Sequence, residues 1–231
     1  MKAHRHSLGH EHDHEPVRGL PEAPPPGEHV LWQGSPDWWQ LALRAFHLRK
    51  LVAYFAVLMV LRALFVAGEG ASASEATVAA LWLALPSSVA LGLVALLAWL
   101  SARTTLYTIT NHRVVMRIGI VLTLAYNLPF KRIAAAGLKL RPDGSGDIPL
   151  TLVGKDRIAL LHLWPHARPW RVAQPEPMLR CLPKAAEAAR VLSQAWALET
   201  GGQPGTTAAA ATAPAAAAHH GHRQPMLAGG D

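Results

Sequence analysis

Cysteine is almost absent from the sequence: Cys181 is the only one in 231 residues. A single cysteine forms no disulfide within the chain, which agrees with a reducing compartment for the segment around it. It has no CxxC partner either, so the usual thiol-redox and cysteine-zinc motifs are missing.

Catalytic constellations are also missing from residues 101–199. The six acidic residues of this segment are scattered and lie mostly at turn positions, such as Asp143, Asp147 and Asp156. No glycine-rich phosphate loop of the Walker or Rossmann type occurs, and RPDGSGD (141–147) is typical of a hairpin turn. We therefore predict that the protein is not an enzyme and uses no cofactor.

Charge is absent from residues 76–100, ATVAALWLALPSSVALGLVALLAWL. At about 1.5 Å per residue this run is long enough to cross a hydrocarbon core about 30 Å thick. The run at 51–67 is shorter and carries one charge, Arg62, near its far end, from which the side chain can reach the headgroups. These two runs predict a transmembrane hairpin over residues 51–100.

Histidine is absent from both predicted spans, and His47 lies just outside the first. Axial ligation of a buried pigment needs a neutral imidazole inside the membrane, so we expect no stable pigment site. The histidines of residues 4–15 alternate as in a metal chelator, but no apolar residues nearby fix their geometry. We expect a disordered His/Pro-rich head over 1–29 and a similar Ala/Pro/His tail over 200–231, with a histidine-rich metal handler as a weaker alternative.

The charges around the hairpin are uneven. Residues 68–75, between the spans, contain two glutamates and no Lys or Arg, whereas Lys and Arg flank the outer ends. The positive-inside rule then predicts a multi-pass protein of the inner or intracytoplasmic membrane with both termini in the cytoplasm. Residues 1–30 contain no apolar stretch typical of a cleavable signal peptide.

Residues 101–199 contain 14 Lys or Arg against 6 Asp or Glu. For a domain tethered to a bilayer, this balance favours attraction to anionic lipids over nucleic acid, and we expect no nucleic acid partner. Residues 30–50 predict an interfacial helix capped by Ser35 or Asp37, with the tryptophans 38 and 39 at headgroup depth. Its apolar face would carry Trp38, Leu41, Ala45 and Leu48. The alternative is a simple extension of the first span.

After Leu100 the pattern changes to β structure. β-branched runs between turn residues such as Asn111-His112 predict six strands, at 104–110, 113–119, 122–128, 135–140, 148–152 and 158–163. An alanine-rich helix follows from Pro183, with a stripe of Ala185, Ala188, Leu192 and Ala195. We predict an α+β membrane protein in which the hairpin precedes a small antiparallel β-barrel or sandwich, over 101–199, closed by the C-terminal helix.

Small residues recur at Ala84, Ser88 and Gly92 on the second predicted span, a spacing that allows close approach of another helix. We favour the first span of the same chain slightly over a partner helix. Pro86 should kink this span nearby.

The segment WPHARPW (164–170) is the second candidate contact site. Its prolines restrict the backbone, and tryptophan and arginine dominate interface hot spots. For Trp164, a structural plug in the barrel is favoured over exposure. The favoured interpretation for the rest, over a corner in which the histidine bonds to backbone, is a recognition surface for a membrane protein or lipid, formed by His166, Arg168, Trp170 and Arg171.

Several uncommon sequence segments occur in the same order as in known membrane proteins. GEHVLWQGSPDWW, the hairpin, LYTITNHRVVMRIG and the terminal helix resemble bacterial pleckstrin-homology-like (PH-like) membrane proteins, whose signature corresponds here to Tyr107, Ile109, Thr110, Asn111 and Arg113. LPEAPPPGEHVLWQG, NLPFKRI, LWPHARPW and LRCLPKAA resemble more narrowly the PuhB family of photosynthetic complex assembly proteins from purple phototrophic bacteria, over about residues 16–198.

This resemblance implies a PH-like domain and a helper in building the reaction centre and core light-harvesting complex. It implies contact with reaction-centre or core antenna subunits, and self-association as a homodimer. A membrane-anchored, lipid-binding scaffold without a photosynthetic client is the alternative. Some members of the family have been regarded as having three spans, but 118–128 is too short for a third, so we predict two.

Overall fold

The computed structural model describes residues 19–20, 22–154 and 158–201. The predictions for most of the head, including its alternating histidines, and for nearly all of the tail lie outside the described residues.

Two short elements precede the apolar hairpin, strand β1 (Val30–Gly34) and helix α1 (Trp38–Arg44). Asp37 caps α1 as predicted, since its carboxylate accepts the backbone N–H of Gln40 at 2.7 Å. This helix does not extend the first span. Its buried Leu41 packs with Ala102 and Cys181, and the left-handed His47 (φ 55°) separates α1 from the next helix, to which Leu48 belongs.

The hairpin begins with α2 (Leu48–Gly68), which has no buried residue. Helix α3 (Ala73–Leu81) packs against α2, and its buried residues are Ala76 and Ala80. Helix α4 (Ala84–Thr104) follows. The break at Trp82 and Leu83 confirms the predicted kink, because Pro86 has no N–H to donate to the carbonyl of Trp82. Among the described residues, α2 and the stretch Ala73–Thr104 are the two helices long and apolar enough to cross a membrane.

Two antiparallel sheets form the β domain. The first has the strand order β1-β2-β3-β4, with β2 (Leu106–Thr110), β3 (Arg113–Ile118) and β4 (Leu124–Pro129). A 3₁₀ turn (Phe130–Arg132) leads to the second sheet, in which β7 pairs with β5, β6 and β8. These elements are β5 (Ile133–Ala136), β6 (Lys139–Leu140), β7 (Gly146–Leu152) and β8 (Met178–Leu182), with α5 (Leu160–Leu163) before β8 and α6 (Ala185–Thr200) after it.

The predicted fold class is confirmed, with corrections to the strands. The predicted strand at 158–163 is wrong: its leucine-rich sequence forms the short helix α5, since leucine favours helices over strands. The predicted strand at 135–140 is divided into β5 and β6. Both β1 and β8 were missed. Residues 118–128 form the end of β3, the turn at 119–123 and most of β4 rather than a third span.

The core lies between the two sheets and α6. The predicted stripe of α6 is confirmed, because its four residues are all buried against the sheets. The largest side chains of this core are Tyr107, Phe130, Ile109, Met116, Ile118, Ile148, Leu150, Leu163, Leu179 and Leu182. Leu163 therefore occupies the place in the core that was predicted for Trp164.

Candidate functional site

The segment between α5 and β8 lies against the chain that enters α2. The ring of Trp164 meets the ring of Phe46 edge to face, with centroids 4.9 Å apart, and Phe46 is two residues from the start of α2. Trp164 is 53% exposed, so the prediction that it plugs the barrel is wrong. The contact between Trp164 and Phe46 instead holds this segment at the base of the hairpin.

His166 is fully buried, and its prediction as an exposed recognition residue is therefore wrong. Its Nδ1 lies 2.6 Å from the Tyr107 hydroxyl, and its Nε2 lies 3.0 Å from the Thr105 hydroxyl. A neutral imidazole offers one donor and one acceptor, and each hydroxyl can play either role, so both nitrogens are satisfied. Burial, with a contribution from the positive charge of Arg180, lowers the pKa of His166 from 6.5 to about 3.

Arg180 connects this network to the hairpin. Its backbone N–H donates to the Tyr107 hydroxyl at 3.2 Å. Its guanidinium donates to the carbonyl of Pro165 at 2.7 Å and to the carbonyl of Arg44, the last residue of α1, at 3.2 Å. The segment that follows Trp164 is thus held to both the β domain and α1.

Cys181, next in the chain, adds a second attachment between β8 and α1. Its carbonyl accepts the N–H of Asp37 at 2.8 Å, and its own N–H donates to Asp147 at 2.8 Å. Asp147 in turn pairs with Arg141. Burial raises the pKa of the Cys181 thiol to about 12, so this cysteine is a packed, unreactive side chain.

Trp170 is the most prominent side chain of the segment, at 97% exposed. Its backbone is left-handed, with φ 66°, a conformation that costs a residue other than glycine on the order of 1 kcal/mol or more. Glu176 accepts from Arg168 at 2.7 Å and lies 3.8 Å from Arg171. Two arginines thus share one carboxylate beside a solvated indole ring.

The polar residues of the family signature make hydrogen bonds within the chain. Thr110 accepts the backbone N–H groups of His112 and Arg113 and so closes the turn between β2 and β3. The side chain of Asn111 accepts the N–H of His29 and donates to the carbonyl of Gly27, both at 2.9 Å. Arg113 donates to Glu28 at 2.6 Å.

The last part of the predicted head is consequently ordered. Residues 27–29 are held by Asn111 and Arg113, and Leu20 is buried. The prediction that the head is disordered up to residue 29 is wrong for this part. Proline and histidine richness alone did not reveal the contacts that distant signature residues supply.

The small residues of α4 do not pack against α2 as expected. Ser88 and Gly92 are exposed, and a Cβ added to Gly92 would meet nothing within 4 Å. Ala84 is half-buried, whereas Ser87 and Ala98 are the buried residues in the apolar part of α4. The stripe therefore remains open to another helix.

The hairpin also carries an open groove of about 550 Å³, lined by Arg62, Ser74, Glu75, Val78, Ala79, Trp82 and Leu83. It lies between α2 and α3 and contains no histidine or cysteine. Among residues 19–20, 22–154 and 158–201, no group of three or more His, Cys, Asp and Glu is arranged to hold a metal ion. The groove is therefore an apolar contact surface with one cation, Arg62, and one carboxylate, Glu75.

The fold and this site define a class of protein: an apolar helical hairpin joined to a PH-like domain. The model of the family described as bacterial PH domain matches residues 50–196. The chain belongs to this family. It is also 42% identical, over 188 residues, to a protein of Rhodobacter capsulatus described as an uncharacterized 23.7 kDa protein in the puhA 5′ region. That match covers 80% of this chain and 87% of the relative, and no solved structure matches.

Proposed function

We propose that this protein is a photosynthetic complex assembly factor of the PuhB type, which helps to build the reaction centre and core light-harvesting complex. The observation that carries the proposal is the relative from Rhodobacter capsulatus, whose name places it in the puhA 5′ region, a photosynthesis gene region. Because the identity of 42% extends over 80% of the chain, hairpin and PH-like domain are both included.

The hairpin is the membrane anchor in this proposal. Helix α2 exposes apolar side chains on all sides, which is unfavourable in water and typical of a helix surrounded by lipid. The basic residues at its outer ends favour both termini in the cytoplasm, with the hairpin in the inner or intracytoplasmic membrane. The open stripe of Ala84, Ser88 and Gly92 then offers a packing face to a client or second copy.

The second contact surface is formed by Trp170 with Arg168 and Arg171. A solvated indole beside arginines has the residue composition of an interface hot spot. The sharing of Glu176 leaves this surface basic, which suits an acidic patch on a reaction-centre or antenna subunit, or anionic lipid. Its role is binding rather than catalysis, because no nucleophile with a neighbouring base accompanies it among the described residues.

Affinity purification of the tagged, full-length protein from membranes of photosynthetically grown cells tests the proposal. Mass spectrometry should find reaction-centre or core antenna subunits enriched over a tagged control membrane protein. Trp170→Ala should reduce this enrichment, whereas Leu198→Ala, which truncates an exposed side chain on α6, should leave it unchanged. Enrichment of neither class of subunit would overturn the proposed function.

A lipid-binding scaffold without a photosynthetic client is the second candidate, favoured by the excess of basic residues in the PH-like domain. It predicts full binding of Trp170→Ala protein to anionic vesicles and no enrichment of photosynthetic subunits. Reduced subunit enrichment with unchanged vesicle binding would instead support the assembly factor.

A further inference from the structure

The register of the first sheet fixes the direction of the β3–β4 turn. Helix α4 ends at Thr104, and β2 begins two residues later with Leu106, which pairs with Arg117. Strand β3 therefore runs back toward the end of α4. Because β4 begins only at Leu124, the turn of residues 119–123 extends past the start of β2, at the end of the domain where α4 enters.

This turn is unusually apolar for a hairpin tip. Val121 is 91% exposed and Leu122 is 79% exposed, with Ile120 beside them, whereas the preceding Ile118 belongs to the core. Connections in water are normally rich in glycine and polar residues. Apolar side chains displayed at the tip of a tight turn are favourable only where something apolar receives them.

The tip has a fixed shape. Gly119 adopts φ +123°, and a Cβ placed there would clash with the carbonyl oxygen of Leu122. The chain therefore folds back closely behind the apolar side chains. A preformed tip loses little conformational freedom when it enters another phase.

Charge and aromaticity at this end of the domain match a lipid headgroup region. Arg103, in the last turn of α4, lies 5.0 Å above the ring of Trp99. Arg117 stands one residue before the buried end of β3. Arginine and tryptophan are favoured at the border between hydrocarbon and water, where arginine also attracts anionic lipids.

We propose that residues 120–122 insert into the membrane leaflet from which α4 emerges, so that the PH-like domain is docked on the bilayer rather than suspended from the hairpin. The occupant of the apolar tip is the lipid of that leaflet, next to the proposed span. This inference rests on the proposed placement of α2 and α4 in the membrane. It adds a third insertion point to the two helices.

The opposite end of the domain supplies a matched control. The N–H of Phe130 donates to the carbonyl of His112 in the β2–β3 turn, and the N–H of Val153 donates to the carbonyl of Arg132. Val153 thus lies at the end away from α4, and it is 54% exposed. It differs from Val121 in position rather than in residue type.

The experiment places one environment-sensitive fluorophore at a time on Val121→Cys, Val153→Cys or Val57→Cys, the last in the middle of α2. The full chain is reconstituted in phosphatidylcholine vesicles with phosphatidylglycerol, with or without nitroxide-labelled lipid. Labelling of the unsubstituted protein measures the background from Cys181, which is buried. Fluorophores at positions 121 and 57 should show blue-shifted emission and quenching by lipid nitroxides, and the fluorophore at position 153 should show neither.

The alternative outcomes are distinct. An unquenched, water-like signal at 121 together with a quenched signal at 57 would overturn the insertion of the tip but leave the anchor intact. A blue-shifted signal at 121 that lipid nitroxides do not quench would mean a protein contact, and would overturn it too. A water-like signal at 57 would overturn the membrane placement itself.

Discussion

Replacement of Tyr107 by phenylalanine isolates the hydroxyl at the centre of the buried network. This oxygen lies between His166 Nδ1, at 2.6 Å, and the backbone N–H of Arg180, at 3.2 Å. The phenylalanine ring fills nearly the same volume, so the change removes hydrogen bonds without leaving a large cavity. Water does not replace the hydroxyl readily, because Tyr107 and His166 are both fully buried.

The expected effect follows from two orphaned groups. A buried donor or acceptor left without its partner costs about 1–3 kcal/mol, so Tyr107→Phe should lower the free energy of unfolding by about 2–6 kcal/mol. In a chain of this size each kcal/mol shifts the Tm by about 2–4 °C, which gives a decrease of roughly 4–24 °C.

Thermal unfolding of the full-length protein in detergent, followed by tryptophan fluorescence, measures this decrease. Tyr126→Phe is the matched control, since Tyr126 is half-buried and its hydroxyl makes no hydrogen bond with the described residues. The control should change the Tm by no more than a few degrees. If both variants lowered the Tm equally, the argument that the network holds the 164–171 segment would be refuted.

Two further predictions concern acid and the hairpin tip. Because the pKa of His166 is about 3 in the folded protein against 6.5 ordinarily, the unfolded chain takes up the proton first as the pH falls. The free energy of unfolding should therefore decrease by up to about 1.4 kcal/mol per pH unit between these two values, and a pH series of Tm should show a flatter slope for His166→Gln than for His112→Gln. Gly119→Ala should lower the Tm more than Gly154→Ala: both glycines have positive φ, but only at Gly119 does the added Cβ meet backbone, the carbonyl of Leu122. Equal decreases would contradict the tightly closed tip.

Local sequence patterns predicted the elements whose stability is local. The uncharged runs gave the hairpin, alternating β-branched residues around Asn111-His112 gave β2 and β3, and the alanine stripe gave α6. Strand β1 escaped prediction because its pairing partner, β2, lies more than 70 residues along the chain. Strand β8 is short, and it pairs with β7 across a segment that contains a helix and several prolines.

The residue types of the candidate site were predicted from the sequence, but the burial and contacts of its side chains were predicted only in part. Proline, tryptophan and arginine content correctly indicated a constrained segment with an exposed Trp170. The burial of His166 could not be predicted from this segment alone, because it depends on the hydroxyls of Thr105 and Tyr107, about 60 residues earlier. Polar residues enter a core when distant partners satisfy them, and a single sequence does not show which partners will meet.

The attachments of the 164–171 segment bear on how a client would be recognised. Arg180 holds this segment to α1, His166 holds it to β2, and Trp164 packs on Phe46 at the base of the hairpin. The backbone that carries Trp170 is therefore held close to the base of the apolar hairpin. If the tip of residues 120–122 is also fixed in lipid, the domain cannot rotate about the end of α4. A client subunit packed on the stripe of α4 would then meet the basic aromatic surface without a separate search, and the two contacts would act as one preorganised binding site.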